Sequence, residues 1–328
     1  MDRRDAAPQA PRWSRRQLLL AGSSLLTGAG GLALAGRARA GADPSGSHAH
    51  SGGAGAPLNP FDPQDSLRRF ERGQVLMENG RPVRVFELEA RSITLQLAAG
   101  VPFKAWSLNG RVPGPTLRAR VGERIRVQFR NGDSTSHSLH VHGVHPAAMD
   151  GIEPVLQGRS TIYSFDLEEA GLFPYHCHVA PVARHVGKGM YGLLVVDPAT
   201  PRPAADELVL VMGGYDLNND GRNELYAFNG IPDAYLRQPI RIRRDALIRL
   251  YLLNMTELEP PLTFHLHANS FQVLRSGWSE RTDVLTLGMA ERQILEFRYR
   301  FPGRYMVHPH QDPIAERGCM GLFEVTDG

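Results

Sequence analysis

The sequence predicts an all-β protein made of two similar antiparallel β-sandwich domains. Two stretches of the chain resemble each other at a spacing of about 120–132 positions, which indicates a duplicated domain. Within each stretch, short apolar runs alternate with a period of two, as in strands that bury one face. No amphipathic helix of three turns is evident, and 34 Gly and 24 Pro among 328 residues favour frequent turns.

The two copies match in the order of their features. Each begins with an Asn-Gly pair, at Asn109 and Asn229, and continues through a strand-like run at residues 125–129 or 247–251. Each then reaches a His-x-His pair, and a second pair follows 36 positions later in the first copy and 43 in the second. We therefore expect the two halves of the chain to fold alike.

The domain boundaries follow from the repeat and from local composition. Pro198, Pro201 and Pro203 cluster between the copies and mark a linker. A stretch rich in Gly, Ala, Ser and Pro precedes the first copy and is typical of a flexible segment. We expect four segments after residue 40: a leader over 41–65, a first domain over 66–198, a linker over 199–207 and a second domain over 208–328.

Residues 1–40 have the features of an export signal. Arg15 and Arg16, followed by Gln-Leu-Leu, resemble the twin-arginine motif, and a mildly apolar stretch over 18–35 leads to a small-residue cleavage site at 38–40. An uncleaved membrane anchor is the alternative, but glycines make the stretch weakly hydrophobic. We expect a periplasmic or secreted protein, exported by the twin-arginine route, that has no membrane contact after cleavage.

The positive charge of the chain is concentrated at its N-terminus. The whole sequence carries +3 and residues 1–40, with seven arginines and two aspartates, carry +5, so the remainder carries −2. A chain with that balance lacks the basic excess that nucleic acids or anionic membranes attract. We expect no nucleic-acid partner.

Paired histidines are the strongest functional signal. Ten of the 13 histidines form five His-x-His pairs, far more than chance would give. One pair, His48 and His50, lies in the leader and is interpreted as part of a disordered segment. The others are His140/His142, His176/His178, His265/His267 and His308/His310. Residues i and i+2 of a strand share a face, so each pair presents two imidazoles together. The eight imidazoles of these four pairs are enough to bind a cluster of several metal ions. Both copper and zinc bind imidazole, so the pairs alone do not distinguish the two metals.

The surroundings of Cys177 argue against zinc alone. The cysteine lies inside a His-Cys-His segment at residues 176–178, with His185 and Met190 downstream and His137 upstream. One thiolate, two imidazoles and a thioether are the ligands of a blue electron-transfer copper. A bound metal would hold the thiolate deprotonated, so Cys177 would not be free to form a disulfide.

The combination of His-x-x-His-x-His with His-Cys-His, a downstream His and a Met resembles the motifs of two-domain, laccase-like multicopper oxidases, which are related to copper nitrite reductases. The resemblance covers residues 101–198 and 225–328, and it implies two cupredoxin-like Greek-key β-sandwich domains. It also implies four coppers per chain, one of type 1, one of type 2 and two of type 3. The implied ligands are His137, Cys177, His185 and Met190 for type 1, His140 and His265 for type 2, and His142, His176, His178, His267, His308 and His310 for type 3.

The second copy lacks the type 1 ligands. By the repeat alignment, Leu262, Pro309 and Cys319 stand where the first copy has its His, Cys and Met ligands. Neither Leu nor Pro binds copper, so Cys319 is interpreted as a small buried apolar residue.

Two other functions remain open at this stage. A copper nitrite reductase shares the two-domain plan, but its pattern has an Asp at the position of His140 and a small residue at the position of His178. A copper electron carrier without catalysis would need only the type 1 site. The eight paired histidines favour an oxidase over both.

The resemblance also implies a reaction and an assembly. Dioxygen would be reduced to water by four electrons taken singly from a small reducing substrate, either phenolic or a low-valent metal ion. His185 is expected to be the exposed ligand through which electrons enter, and Asp150 and Asp312 are candidate proton donors. The paired histidines are divided evenly between the domains, and in similar two-domain oxidases the trinuclear site lies between neighbouring subunits of a trimer. The resemblance therefore implies a homotrimer with trinuclear sites between subunits.

Weaker signals concern calcium and the electron donor. Residues 216–221 begin like a calcium loop, but Ala227 stands where a glutamate ligand is required, so a polar turn is favoured. His145 has no assigned role and is expected near the surface. Arg184 and Lys188 flank the candidate entry histidine, and no acidic cluster or Met-rich insert suggests a metal-ion donor. A small phenolic donor is therefore favoured.

Overall fold

A computed structural model describes residues 59–275 and 278–327. The expected export signal and most of the expected leader, with His48 and His50, lie outside the described residues. Among the described residues, no helix is long and apolar enough to cross a membrane.

Ten strands form the first domain. They are β1 (Phe70–Glu71), β2 (Gln74–Glu78), β3 (Arg81–Ala98), β4 (Val101–Leu108), β5 (Thr116–Arg120), β6 (Arg124–Asn131), β7 (His140–Val141), β8 (Ser160–Asp166), β9 (Gly171–His176) and β10 (Tyr191–Asp197). One sheet has the order β1-β5-β10-β9-β7, and the other has the order β2-β3-β6-β8 with β4 paired to β3. The strand β6 alternates buried and exposed residues, as its sequence predicts.

Eleven strands form the described part of the second domain. They are β11 (Asp206–Tyr215), β12 (Leu225–Phe228), β13 (Ile240–Arg243), β14 (Ile248–Asn254), β15 (Leu262–Leu266), β16 (Phe271–Arg275), β17 (Trp278–Thr282), β18 (Val284–Leu287), β19 (Arg292–Phe297), β20 (Gly303–His308) and β21 (Gly321–Thr326). Their sheets have the orders β12-β11-β14-β19-β16-β17 and β13-β21-β20-β15-β18.

The strand topology confirms the duplicated all-β fold. The run β5-β10-β9-β7 corresponds to β13-β21-β20-β15, and in both runs the first pair is parallel and the others are antiparallel. The expectation of purely antiparallel sheets is wrong. Connections that cross between the two sheets place β3 beside β6 and β11 beside β14 in the same direction.

Three apolar clusters hold the chain together. One fills the first domain and includes Cys177 and Met190, and one fills the second domain. The third joins the domains, with Phe103 and Tyr191 on one side and Tyr251 on the other. Because burial of apolar surface is the main stabilising contribution to folding, this third cluster fixes the two sandwiches against each other.

The helices are short. They are α1 (Pro63–Arg68), α2 (Val182–Gly187), α3 (Ala234–Arg237) and α4 (Asp312–Ala315), with a 3₁₀ turn at Ala147–Met149. Residues 59–65, at the C-terminal end of the expected leader over 41–65, belong to the folded structure. Asp62 caps α1 through a hydrogen bond to the backbone N–H of Gln64, and Asn59 exchanges hydrogen bonds with the backbone of Gln96. Leu67, expected in the first domain, is buried in the second-domain core.

Candidate metal centre

Three potential metal-binding atoms converge in the core of the first domain. The Sγ atom of Cys177 lies 3.2 Å from Nδ1 of His185 and 3.7 Å from Nδ1 of His137. The two Nδ1 atoms lie 3.1 Å apart, and all three side chains are buried. One sulfur and two imidazole nitrogens in such a triangle are the strong donors of a blue-copper site.

Three chain segments bring these donors together. Cys177 directly follows β9, and its backbone N–H donates to the carbonyl of Met190 at 2.9 Å. The N–H of Met190 donates in turn to the carbonyl of His185, the fourth residue of α2, at 3.1 Å. His137 lies on an isolated bridge to Val155. Met190 is fully buried in the same apolar cluster as Cys177. The structure therefore brings three of the predicted ligand side chains together and holds the backbone of the fourth beside them through the hydrogen bonds of Met190.

Gly189 permits the close approach that places Met190. Its φ of +111° lies in a region that L side chains rarely adopt. A Cβ atom at this position would lie 2.5 Å from Cγ2 of Val112 and 2.8 Å from the carbonyl oxygen of Trp106. Only glycine fits here without displacement of the neighbouring chain.

Burial keeps the donors of this triangle uncharged until a cation binds. It lowers the pKa of His185 to about 4, an effect that His137 and Arg184 strengthen. Burial also lowers the pKa of His137, against the attraction of Asp133, and it raises the pKa of the Cys177 thiol. The imidazoles therefore hold free lone pairs near neutral pH, and a soft cation would replace the thiol proton.

Asp133 lies behind His137. Its Oδ1 is 3.7 Å from Nε2 of His137, and this nitrogen has no hydrogen-bond partner among the described residues. The carboxylate is itself held by the hydroxyl of Ser92 and by the N–H of Thr135. With Nδ1 of His137 facing Cys177, the proton of the neutral ring belongs on Nε2, beside this carboxylate.

The expectation that His185 is an exposed ligand is wrong. Only 3% of the residue is exposed, because the indole of Trp106 covers it with ring centroids 4.6 Å apart. Trp106 also contacts His137, at a centroid distance of 5.2 Å. The indole is half-buried, and the guanidinium of Arg184 lies 5.7 Å from its centroid. Trp106 belongs to β4, far from His185 in the sequence, and no motif connects the two.

Four histidines of the first domain form a second group, which we call the first-domain set: His140, His142, His176 and His178. The strands β7 and β9 place His140 opposite His176. Nε2 of His142 lies 3.1 Å from Nε2 of His176, and the ring centroid of His140 lies 5.1–5.3 Å from the other three. Burial, with the neighbouring histidines, lowers the pKa of His142 to about 4.

The second domain repeats this arrangement in the second-domain set: His265, His267, His308 and His310. The strands β15 and β20 place His265 opposite His308. Nε2 of His267 lies 2.9 Å from Nε2 of His308, and the ring centroid of His265 lies 5.1–5.6 Å from the other three. The matching distances confirm that the two copies of the repeat build equivalent groups.

Backbone carbonyls orient one ring of each set in the same way. Nδ1 of His176 donates to the carbonyl of Cys177 at 2.9 Å, and Nδ1 of His308 donates to the carbonyl of Pro309 at 2.8 Å. A proton on Nδ1 leaves Nε2 as the lone-pair donor. Pro309 therefore occupies the position equivalent to Cys177. Its backbone carbonyl orients the preceding histidine in the same way, but it has no sulfur atom.

Two aspartates orient the other equivalent pair. Nδ1 of His140 donates to the carbonyl of Asp150 at 2.9 Å, and the carboxylate of Asp150 lies 3.1 Å away. Nδ1 of His265 donates to the carbonyl of Asp283 at 2.8 Å, with the carboxylate at 3.9 Å. The sequence did not indicate Asp283, because it follows its histidine by 18 positions and Asp150 follows by 10. Asp312 begins α4 and is exposed, and no described hydrogen bond joins it to either set.

The two sets stay apart within one chain. Among the described residues, no ring contact and no cluster of metal-type ligands joins the first-domain set to the second-domain set. Each set also opens outward, since His178 and His310 are exposed. Each set therefore has one histidine that is accessible from outside the chain.

The remaining predicted features are structural in this fold. His145 is more buried than expected, with 6% of its side chain exposed, because its ring packs on Phe165 and Nε2 donates to the carbonyl of Val141 at 2.9 Å. Cys319 is a free thiol buried in the second-domain core, as predicted. The carboxylate of Asp216 accepts hydrogen bonds from N–H groups of its own polar turn.

Two cupredoxin-type sandwiches, one of them with a Cys-His-His triangle in its core, define a copper protein. The chain belongs to the multicopper oxidase family, whose models match residues 89–201 and 203–328. Members of this family are oxidoreductases that use copper.

The chain is also similar in sequence and structure to individual copper enzymes. A multicopper oxidase crystal structure is 39% identical, with a TM-score of 0.80 over 82% of this chain and 98% of that one. The blue copper oxidase from Nitrosomonas europaea is 25% identical, with a TM-score of 0.67 over 74% of this chain and 86% of that one. The copper-containing nitrite reductase of Neisseria meningitidis serogroup A is 29% identical over 275 residues, which are 74% of this chain and 69% of that protein.

Proposed function

We propose that the protein is a dioxygen-reducing multicopper oxidase that takes electrons singly from a small reducing donor and delivers four of them to dioxygen, giving water. The observation that carries this proposal is the pair of equivalent four-histidine sets. Copper supplies the redox chemistry when bound, since four ions together can hold the four electrons that dioxygen requires.

The buried triangle would hold the first copper. Cys177, His137 and His185 present neutral donors in a buried core, and Met190, buried in the same cluster, would supply the thioether. This donor set suits copper better than zinc, because the weak sulfur ligand and trigonal arrangement are those of blue electron-transfer sites.

The two histidine sets would hold three further coppers. Their Nε2 atoms are the free donors wherever Nδ1 is bound to a carbonyl, as in His176 and His308. Because the sets do not meet within a chain, we propose that the first-domain set of one subunit faces the second-domain set of another. A ring of three chains closes such contacts, which gives a homotrimer with a trinuclear site at each interface.

The backbone connects the two kinds of site. Cys177 is bonded through its peptide groups to His176 and His178, so the sulfur of the triangle and two ligands of the first-domain set belong to three consecutive residues. This short covalent path carries electrons inward. The chain's remaining tasks are to orient the rings, as Asp150 does for His140, and to exclude water from the core triangle.

Copper nitrite reductase is the second candidate, and the similarity to the Neisseria meningitidis enzyme favours it. His140 and His178 oppose it, because they complete the first-domain set where a reductase pattern has an Asp and a small residue. A copper electron carrier is the third candidate. It would need only the buried triangle, so the eight histidines of the first-domain and second-domain sets would have no function.

Copper counting combined with gas measurements distinguishes the three candidates. We expect about four coppers per chain and uptake of dioxygen with a phenolic donor in a ratio of one dioxygen to four electrons. About two coppers per chain with reduction of nitrite to nitric oxide would establish a reductase, and about one copper with neither activity an electron carrier.

The twin-arginine pattern of residues 14–19 supports export to the periplasm or beyond. Replacement of Arg15 and Arg16 with lysine should leave the protein in the cytoplasm, as measured by cell fractionation. Continued export of that variant would refute this route.

A further inference from the structure

The core triangle has no direct contact with solvent. His137 and Cys177 are fully buried and only 3% of His185 is exposed, so a ligand ring offers almost no surface to an external donor. Trp106 lies against both histidines, with centroid distances of 5.2 and 4.6 Å, and it is partly exposed itself. The indole therefore provides an aromatic path from the surface to the triangle.

The position of Trp106 is held by its own backbone. Its N–H donates to the carbonyl of Lys188 at 2.9 Å, which ties β4 to the end of α2. Its carbonyl lies so close to Gly189 that a Cβ there would come within 2.8 Å. The indole and the segment carrying His185 therefore form one packed unit.

The surface around the indole is cationic. The exposed guanidinium of Arg184 lies 5.7 Å from the indole centroid, and Nζ of Lys188 lies 4.3 Å from the ring of Phe103. Burial and the charge of Arg184 lower the pKa of Lys188, and the carboxylate of Asp216 opposes this effect without reversing it. No described ion pair neutralises Arg184, so its charge faces outward beside the aromatic surface.

We propose that Trp106 and Arg184 form the docking site of the electron donor, and that this donor is a small planar aromatic anion, namely a phenol that carries a carboxylate. The proposal rests on the proposed oxidase function and specifies its substrate. The donor ring stacks on the indole, and its carboxylate pairs with the guanidinium of Arg184. Trp106 and His185 would carry one electron from the donor toward the copper that Cys177, His137 and His185 would hold, the copper would serve as the one-electron acceptor, and the phenolic proton would leave to water.

The same charges disfavour a metal-ion donor. Ferrous or cuprous ions would approach Arg184 and Lys188 against repulsion, and no acidic side chain lies over the indole among the described contacts. An indole also offers no ligand atom that a metal ion could use. The chemistry of this surface thus selects an organic anion.

The test uses the copper-loaded protein and a matched pair of donors, syringate and its uncharged methyl ester. Trp106→Leu should lower kcat/KM for both donors about fivefold, and Trp106→Phe should restore most of it, because a phenyl ring can still stack on the donor. Arg184→Gln should lower kcat/KM for syringate about tenfold through KM and leave the ester unchanged. Arg300→Gln, which removes an exposed charge in the second domain, is the control and should change neither donor.

Binding of the redox-inert 3,4,5-trimethoxybenzoate, measured by calorimetry, provides a readout that is independent of turnover. Its affinity should fall in the Trp106→Leu and Arg184→Gln variants, and the blue absorption of the copper should stay unchanged in Arg184→Gln. Equal kcat/KM for both donors in wild type and Arg184→Gln, or normal turnover in Trp106→Leu, would overturn the proposal. Dioxygen uptake with ferrous or cuprous ions but with neither phenol would also overturn it and leave the oxidase function standing. Absence of dioxygen uptake with every donor would overturn the oxidase function itself.

Discussion

The carboxylate of Asp150 lies 3.1 Å from Nδ1 of His140, and the carbonyl of the same aspartate accepts a hydrogen bond from that nitrogen at 2.9 Å. Two oxygens of one residue therefore fix both the tautomer and the direction of the ring. The equivalent Asp283 uses its carbonyl at 2.8 Å, while its carboxylate stays 3.9 Å from His265 and is mostly exposed. The two halves of the proposed trinuclear site are thus oriented unequally.

This inequality predicts different effects for the two aspartates. Asp150→Asn should keep the blue colour, because the core triangle is untouched, but lower dioxygen turnover about tenfold or more, since partners that orient a metal ligand contribute that much. Asp283→Asn is the matched control and should have a smaller effect. Steady-state dioxygen uptake measures both, and unchanged turnover in Asp150→Asn would remove this residue from the mechanism.

Gly189 predicts a defect confined to the blue site. Gly189→Ala would force a Cβ within 2.5 Å of Val112 at a φ of +111°, which strains the segment that carries Met190. We expect a loss of about 2 kcal/mol in stability and a weakened or shifted blue absorption. Gly187→Ala provides the control, because a Cβ there meets nothing within 4 Å. Identical spectra in the two variants would show that the close approach is relaxed at no cost to the copper site.

An ion-pair network between the domains predicts a pH-dependent stability. Arg118 of β5 binds Glu207 of β11, and Tyr251 donates to the same carboxylate at 2.6 Å. Burial alone would raise the pKa of Glu207, but these hydrogen bonds outweigh it and lower the pKa. Glu207→Gln should therefore cost about 3 kcal/mol in the free energy of unfolding at pH 7. The surface variant Glu71→Gln should cost under about 0.5 kcal/mol.

The sign of the pH effect follows from the lowered pKa of Glu207. Its stabilising contribution is complete above the pKa of the unfolded chain, about 4.3, and is lost as the pH falls through the lower pKa of the folded state. Urea midpoints of wild type and Glu207→Gln should differ at pH 7 and converge toward pH 3. A difference that grew on acidification would contradict this account.

The repeat, the strand period and the histidine spacing were enough to predict the duplicated β fold and the gathering of the ligand residues. Alternation along a strand determines which side chains share a face, so His140 with His142 and His265 with His267 were accessible from spacing alone. His185 follows Cys177 by 8 positions, so local folding can bring these two together, whereas His137 was indicated by the resemblance to the family motif.

Contacts between distant strands were not predictable. Trp106 covers His185 from β4, and Asp283 reaches His265 across a hairpin of different length from that before Asp150. No local pattern encodes such contacts, because they depend on how sheets pack. The same limit explains why Leu67 was assigned to the wrong domain: its helix folds back onto the second core.

The separation of the two histidine sets predicts complementation between inactive chains. His142→Ala disables a first-domain set and His267→Ala a second-domain set, and neither substitution reaches the blue triangle. In a ring whose sites join the first domain of one chain to the second domain of the next, random mixing of the two variants leaves about a quarter of the sites intact. The two variants are co-expressed with different affinity tags, and mixed oligomers are purified by both tags in turn. These oligomers should therefore regain a substantial fraction of wild-type dioxygen uptake, whereas each variant alone stays inactive. Sites completed within single chains would give mixed oligomers with no activity, and a fully active monomer in sedimentation would exclude the shared interface altogether.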